Sequence, residues 1–97
     1  MKRTLLTEEE IVNALASLEG WSVEGCELVK TFRFTAYLAG IHFVSHLGQA
    51  AEVMNHHPEL HVGWRKVTMR VTTHSAGGLT ELDVALARAA ERLTPCL

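Results

Sequence analysis

Six histidines occur in this 97-residue chain, and three of them stand where imidazole chemistry could be organised. The run Glu52-Val53-Met54-Asn55-His56-His57-Pro58 sets two histidines side by side in front of a proline. Adjacent side chains on a helix or strand point in different directions, so the pair is not one ligand face written twice. Proline disfavours helical geometry in the residue before it, which pushes His57 toward extended backbone and leaves His56 in the last helical turn. Glu52, four residues earlier on the same face, is then placed to hold one nitrogen of His56 and fix its tautomer. A histidine oriented in this way can give or take a proton near neutral pH. The bland counterpart is a helix-end histidine favoured by the macrodipole, with an ordinary surface Glu–His pair.

His74 closes the alternating stretch Val67-Thr68-Met69-Arg70-Val71 and precedes Ser75-Ala76-Gly77-Gly78, so a rigid element hands over to a loop at that residue. Asp83 falls at the third position of the last predicted helix, where a carboxylate caps backbone amides. Trp64, beside a turn, reads as a core plug rather than as a flat wall for a planar ligand. His42 and His46 are four residues apart and fit a solvated helix face. Zinc asks for three or four ligands, and neither an H-E-x-x-H motif nor a paired C-x-x-C is present, so no metal site is expected and a His-rich metal-binding protein is the weakest reading.

These side chains need elements to position them. Thr7 is a helix N-cap with Glu10 completing a capping box and Leu6–Ile11 a hydrophobic staple, which predicts a first helix from about Glu8 to Leu18, ended by Gly20. Two strands follow around a turn at Glu24-Gly25, with Leu28, Phe32 and Phe34 on one face and Lys30 as an unexplained charge among them. From about Thr35 to Asn55 an apolar stripe of Tyr37, Ile41, Val44, Leu47, Ala51 and Met54 predicts a core helix, with Gly40 and Gly48 permitting close packing. Residues 59–74 give a short strand, a turn near Gly63 and a longer half-buried strand. The last helix is capped by Thr80 with Asp83 three residues on, and is apolar at Leu79, Leu82, Leu86, Ala90 and Leu93. The order α-β-β-α-β-β-α predicts an α+β two-layer domain over residues 1–97, a four-stranded antiparallel sheet with three helices on one face.

The composition narrows the function classes. A hydrophobic share of 47%, a charged share of 21% and a formal net charge of −2 describe an ordinary globule. Nine Lys and Arg are scattered among eleven acids without a basic stripe, so neither nucleic acid nor a membrane is an expected partner. The start MKRTLLTEEE lacks the apolar core of a signal peptide, which points to the cytoplasm, and Cys26 and Cys96 are expected as free thiols there. Open sheet edges, and a last-helix run of Leu86, Ala90 and Leu93 that could cover more than one copy's core, predict a homodimer or homotetramer.

Taken together, Glu52, His56-His57-Pro58, Trp64, Thr73-His74 and Asp83 stand at spacings that resemble the signature of the pterin-4a-carbinolamine dehydratases. The resemblance covers about a third of the chain in motif, and the family's element order matches nearly its whole length. One departure is Val62, where members often carry asparagine. The resemblance implies loss of water from a 4a-hydroxytetrahydropterin, the spent cofactor of aromatic amino-acid hydroxylases, to give quinonoid dihydropterin. It implies His56 and His74 as acid–base groups with His57 beside them, and Glu52, Pro58, Thr73, Ser75 and Asp83 around the pterin: Glu52 orienting His56, Thr73 and Ser75 touching the substrate, Asp83 bracing the loop. The pterin is then the substrate and no cofactor is required; a hydroxylase would be a functional partner. An alternative within the same fold is a non-catalytic dimerisation or interaction module.

Overall fold

A computed structural model describes residues 4–94. Its elements run α1 (Glu8–Ala16), β1 (Ser22–Glu24), β2 (Glu27–Arg33), α2 (Tyr37–Met54), β3 (Glu59–Gly63), β4 (Lys66–Val71), a single 3₁₀ turn (His74–Ala76) and α3 (Glu81–Leu93). Both predicted capping boxes are present. Thr7 Oγ1 accepts from the Glu10 amide while Glu10 Oε1 accepts from the Thr7 amide, and Thr80 and Asp83 repeat the exchange at the start of α3. α1 stops at Ala16 rather than Leu18, because the chain tightens into a turn in which the Leu18 amide donates to the Leu15 carbonyl. Gly20, at φ 85, completes that turn, and Leu18 is swung into the core at 3% exposure.

The sheet has the order β1-β2-β4-β3 with every pairing antiparallel. Its register sets Leu28 opposite Val71, Phe32 opposite Val67 and Leu60 opposite Met69, so one face carries the apolar residues on which the three helices pack. Lys30 lies on that face, as the alternation requires, and its charge is matched there. Its Nζ donates to Glu91 Oε2 of α3 at 2.7 Å and to the Glu19 carbonyl at 3.0 Å, and the indole of Trp21 donates to the same carboxylate oxygen at 3.0 Å.

α2 is rotated relative to the expected stripe. Its buried residues are Gly40, Phe43, Leu47 and Ala51, while Tyr37 is 50% exposed. Gly40 is where helix and sheet approach most closely, since a Cβ there would meet the Phe34 ring at 3.3 Å; at Gly48 a Cβ would meet nothing. On α3 the side chains of Leu86 and Ala90 are fully buried within the one chain, so they are not a surface awaiting a second copy. Cys26 is an exposed free thiol, and Cys96 lies outside the described residues. No described helix is long and apolar enough to cross a membrane.

Three chain ends meet at one end of this sheet: the C-terminus of α2, the exit of β4 and the N-terminus of α3. The β3–β4 turn lies at the other end, roughly 20 Å away by the rise of six strand residues.

Candidate active site

α2 does not carry His56. Asn55 takes the left-handed conformation, φ 51 and ψ 43, directly after Met54. The amide of Asn55 donates to the Glu52 carbonyl and that of His56 to the Ala51 carbonyl, both at 3.1 Å, which is the paired closure of a Schellman cap. This reversal corrects the expected pairing. His56 turns inward, is 7% exposed, and meets Asp83, with Nε2 at 2.7 Å from Oδ1. His57 turns back over the helix instead, and it is His57 Nε2, at 2.5 Å, that meets Glu52 Oε1. That second pair is open to water, the two side chains being 53% and 77% exposed.

Asp83 has no exposed surface and accepts on both oxygens. Oδ1 faces His56; Oδ2 accepts from the Thr80 amide and from the Thr73 hydroxyl, each at 2.8 Å. A carboxylate with only acceptor positions requires His56 Nε2 to be the donor, so Nδ1 is the ring nitrogen left for other chemistry. Thr73, having given its proton to Asp83, accepts from Thr80 Oγ1 at 2.8 Å. Its hydroxyl is therefore engaged with Asp83 and Thr80, while Thr73 also lines the cleft that holds the histidines.

Thr73 is also the anchor of the loop that bears His74. Its amide donates to the Gly78 carbonyl, and its carbonyl accepts from Ala76 and Gly77, the last at φ 80. One carboxylate thus fixes the ring of His56 directly and the loop of His74 through Thr73. Burying such a charge is costly unless every lone pair is used. Here the bonds come from the three elements that converge.

The side chains brought together line a cleft of about 270 Å3: His56, His57, His74, Thr73 and Ser75 from the predicted set, joined by Asn55 and Thr72. Glu52 and Asp83 stand behind the histidines, and Pro58 adjoins without lining the cleft. Thr80 was foreseen only as a helix cap. A larger groove of about 480 Å3 between α1 and α3, with Leu6, Glu10, Val84 and Arg88 among its walls, holds no histidine. Trp64 is 71% exposed at the distant turn, with the Arg65 guanidinium 4.3 Å from its ring centroid, and so is not a core plug. Among the described residues no group of three or more His, Cys, Asp or Glu side chains could hold a metal ion, and His42 and His46 lie exposed on α2.

The family model described as pterin 4 alpha carbinolamine dehydratase matches residues 4–93. A relative from Natronomonas pharaonis, provisionally named a pterin-4-alpha-carbinolamine dehydratase, is 46% identical over 88 residues, covering 91% of this chain and 94% of its own. The crystal structure of a transcriptional coactivator/pterin dehydratase from Brucella melitensis is similar at a TM-score of 0.87 and 34% identity, over 91% of this chain and 96% of that one. A pterin dehydratase-like protein described as a RuBisCO assembly factor in the alpha-carboxysome shares the fold at a TM-score of 0.62 and 23% identity, over 75% and 84% of the two chains.

Proposed function

The chain belongs to the family of pterin 4 alpha carbinolamine dehydratases, and on that premise we propose that it removes water from a 4a-hydroxytetrahydropterin to give quinonoid dihydropterin. The observation that carries this reading is the buried Asp83, which orients His56 and, through Thr73, the loop of His74. A carbinolamine dehydration needs one proton delivered to the departing hydroxyl and one taken from a ring nitrogen; the atoms then balance as product and water. Two histidines on separate elements, facing one cleft, suit that division. His56 exchanges its proton at Nδ1, because Nε2 is committed to Asp83. His74, at the head of its loop and exposed, supplies the second group. His57, held by Glu52, lies beside them and contributes to binding the pterin, with Ser75 of the loop.

The chemistry is acid–base throughout and asks for neither metal nor organic cofactor; the pterin is consumed as substrate. Positioned groups of this kind contribute about 10²- to 10⁴-fold. A hydroxylase that forms the 4a-hydroxypterin is the functional partner in this account, and the cytoplasm its place of work. The names of the Brucella protein and of the carboxysome factor favour a second reading, an interaction module that has no need of catalysis. Such a module would use the buried Asp83 only to brace the fold and would have no need of histidines lining a cleft. Dehydration of freshly generated 4a-hydroxytetrahydropterin by the purified protein separates the two, since a rate at the uncatalysed background leaves only the module.

A further inference from the structure

Lys30 and Arg70 are ion-paired to carboxylates on the sheet. Arg33, Arg65 and Lys66 are exposed, and among the described residues none of these three is paired with a carboxylate. The fold gathers them at the β3–β4 turn, at the end of the sheet opposite the histidine cleft. There they line a cavity of about 480 Å3 together with Phe34 and Trp64, and no acidic residue shares its walls. A chain of net charge −2 thus carries a cationic hollow with aromatic sides.

This arrangement costs the fold stability. Arg33 and Lys66 are direct partners across β2 and β4, on the face turned away from the helices. Like charges so placed repel, because the Cβ atoms of such a pair stand about 4.5–5.5 Å apart. Protection of a sheet edge does not account for them, since β2 and β4 are the inner strands. Arg65 is held at φ 56, left-handed backbone that a side chain of this size takes unfavourably. Trp64 leaves 71% of its surface to water, with the Arg65 guanidinium 4.3 Å from its ring centroid. Local contacts nevertheless hold the corner in shape. The Phe34 amide donates to the Arg65 carbonyl at 2.9 Å, and the Phe34 ring packs on Phe43 with centroids 5.4 Å apart. The stem of Lys66 lies across Gly63, where a Cβ would meet its Cε at 3.1 Å.

We propose that this corner is a second binding site and that it takes a nucleoside phosphate. Two cations side by side match a phosphate dianion better than the single charge of a carboxylate, and a guanidinium fork beside an ammonium suits its oxygens. The base then stacks on the indole of Trp64, a contact that the neighbouring arginine strengthens. Phosphate without a ring, or a ring without phosphate, would use only half of these walls. The volume falls within the roughly 300–1,000 Å3 usual for small-molecule sites. A free nucleotide and a single strand both offer this chemistry. The site stands apart from the histidine cleft, and the inference does not rest on the dehydratase reading.

Calorimetric titration of the full chain with ADP, adenosine, pyrophosphate and a short oligodeoxyadenylate tests the site. ADP is expected to bind saturably, with adenosine and pyrophosphate each roughly tenfold weaker or more, since each lacks one of the two contacts. Trp64→Ala is expected to weaken ADP roughly 5- to 100-fold, the range of losing one stacking partner. Lys66→Gln is expected to weaken it roughly tenfold, as loss of a charged hydrogen bond does. The same variant should melt no lower than wild type, because it removes a like-charge pair, so its loss of binding does not come from unfolding. His74→Ala should bind ADP as wild type does, which separates this corner from the histidine cleft. An oligodeoxyadenylate that binds more tightly than ADP assigns the site to single strands, and the reverse order assigns it to free nucleotides; either upholds the inference. It is overturned if neither binds saturably, if pyrophosphate binds as tightly as ADP, if Trp64→Ala and Lys66→Gln leave binding unchanged, or if His74→Ala abolishes it.

Discussion

Replacing Asp83 by asparagine preserves shape and removes charge at the point on which the site depends. Asp83 accepts three hydrogen bonds, from His56 Nε2 at 2.7 Å and from the Thr73 hydroxyl and Thr80 amide at 2.8 Å. An asparagine side chain has one acceptor oxygen and a donor amide. If the oxygen keeps Thr73 and Thr80, the amide faces His56 Nε2, which must then accept, and the proton moves to Nδ1. The nitrogen proposed to exchange the proton is changed from a base into a donor. By analogy with other aspartate–histidine pairs, where the wrong tautomer costs up to about 10⁴ in kcat, Asp83→Asn is expected to lower kcat roughly 10²- to 10³-fold with little change in KM. Stability should fall by roughly 1–3 kcal/mol, one charge-assisted bond exchanged for a weaker one. Asp83→Ala is the poorer probe, since it strands three buried partners at about 1–3 kcal/mol each against a total of about 5–15 kcal/mol for a typical domain. The assay is stopped dehydration of 4a-hydroxytetrahydropterin, paired with long-range ¹⁵N NMR of the His56 ring and a thermal melt. Wild-type kcat in a folded Asp83→Asn variant whose His56 carries its proton on Nδ1 would refute the reasoning.

Three further outcomes follow from the same geometry. Glu52→Gln touches only the exposed pair with His57, so stability should move by no more than about 0.5 kcal/mol and turnover by less than about tenfold; a loss as large as that of Asp83→Asn would return Glu52 to the role of orienting His56. Asn55→Gly should leave the melting temperature unchanged or higher, and Asn55→Ala should lower stability by roughly 1 kcal/mol, because φ 51 is tolerated by glycine and strained for alanine; a calorimetric melt of both variants checks the sign. Activity should survive exhaustive chelation, and elemental analysis of the active protein should find no stoichiometric metal; loss of one zinc together with activity would overturn the acid–base account.

Features governed by nearest neighbours were legible in the sequence. Both capping boxes, the two hairpins and the element order depend on residues within four positions of one another, and the structure has them all. The misplaced partner of Glu52 came from one backbone reversal. Asn55 is a residue type that accepts left-handed geometry at a helix end, and counting it as helical put His56 on the face of Glu52 instead of opposite Asp83. That signal was present and was outweighed by the i,i+4 spacing. Lys30 could not be explained from local pattern, since its partner Glu91 is 61 residues away. The rotation of α2 was also hidden: the helix is apolar on most of its surface, so periodicity could not choose between the line through Ile41 and Val44 and the line through Gly40, Phe43 and Leu47 that faces the sheet. Thr80 was recognised as a cap, but its second task, donating to Thr73 in the network behind His56, depends on a contact between β4's exit and α3 that no spacing encodes.

The central claim is that His56 and His74 divide two proton transfers in one dehydration. It is tested most directly by comparing wild type, His56→Ala, His74→Ala and the double variant in the stopped dehydration assay, with circular dichroism on each. Wild type is expected above background by about 10²- to 10⁴-fold, each single variant roughly 10- to 10³-fold below wild type, and the folded double variant at the uncatalysed rate. A double variant as active as wild type, or a wild type no faster than background, would contradict the account.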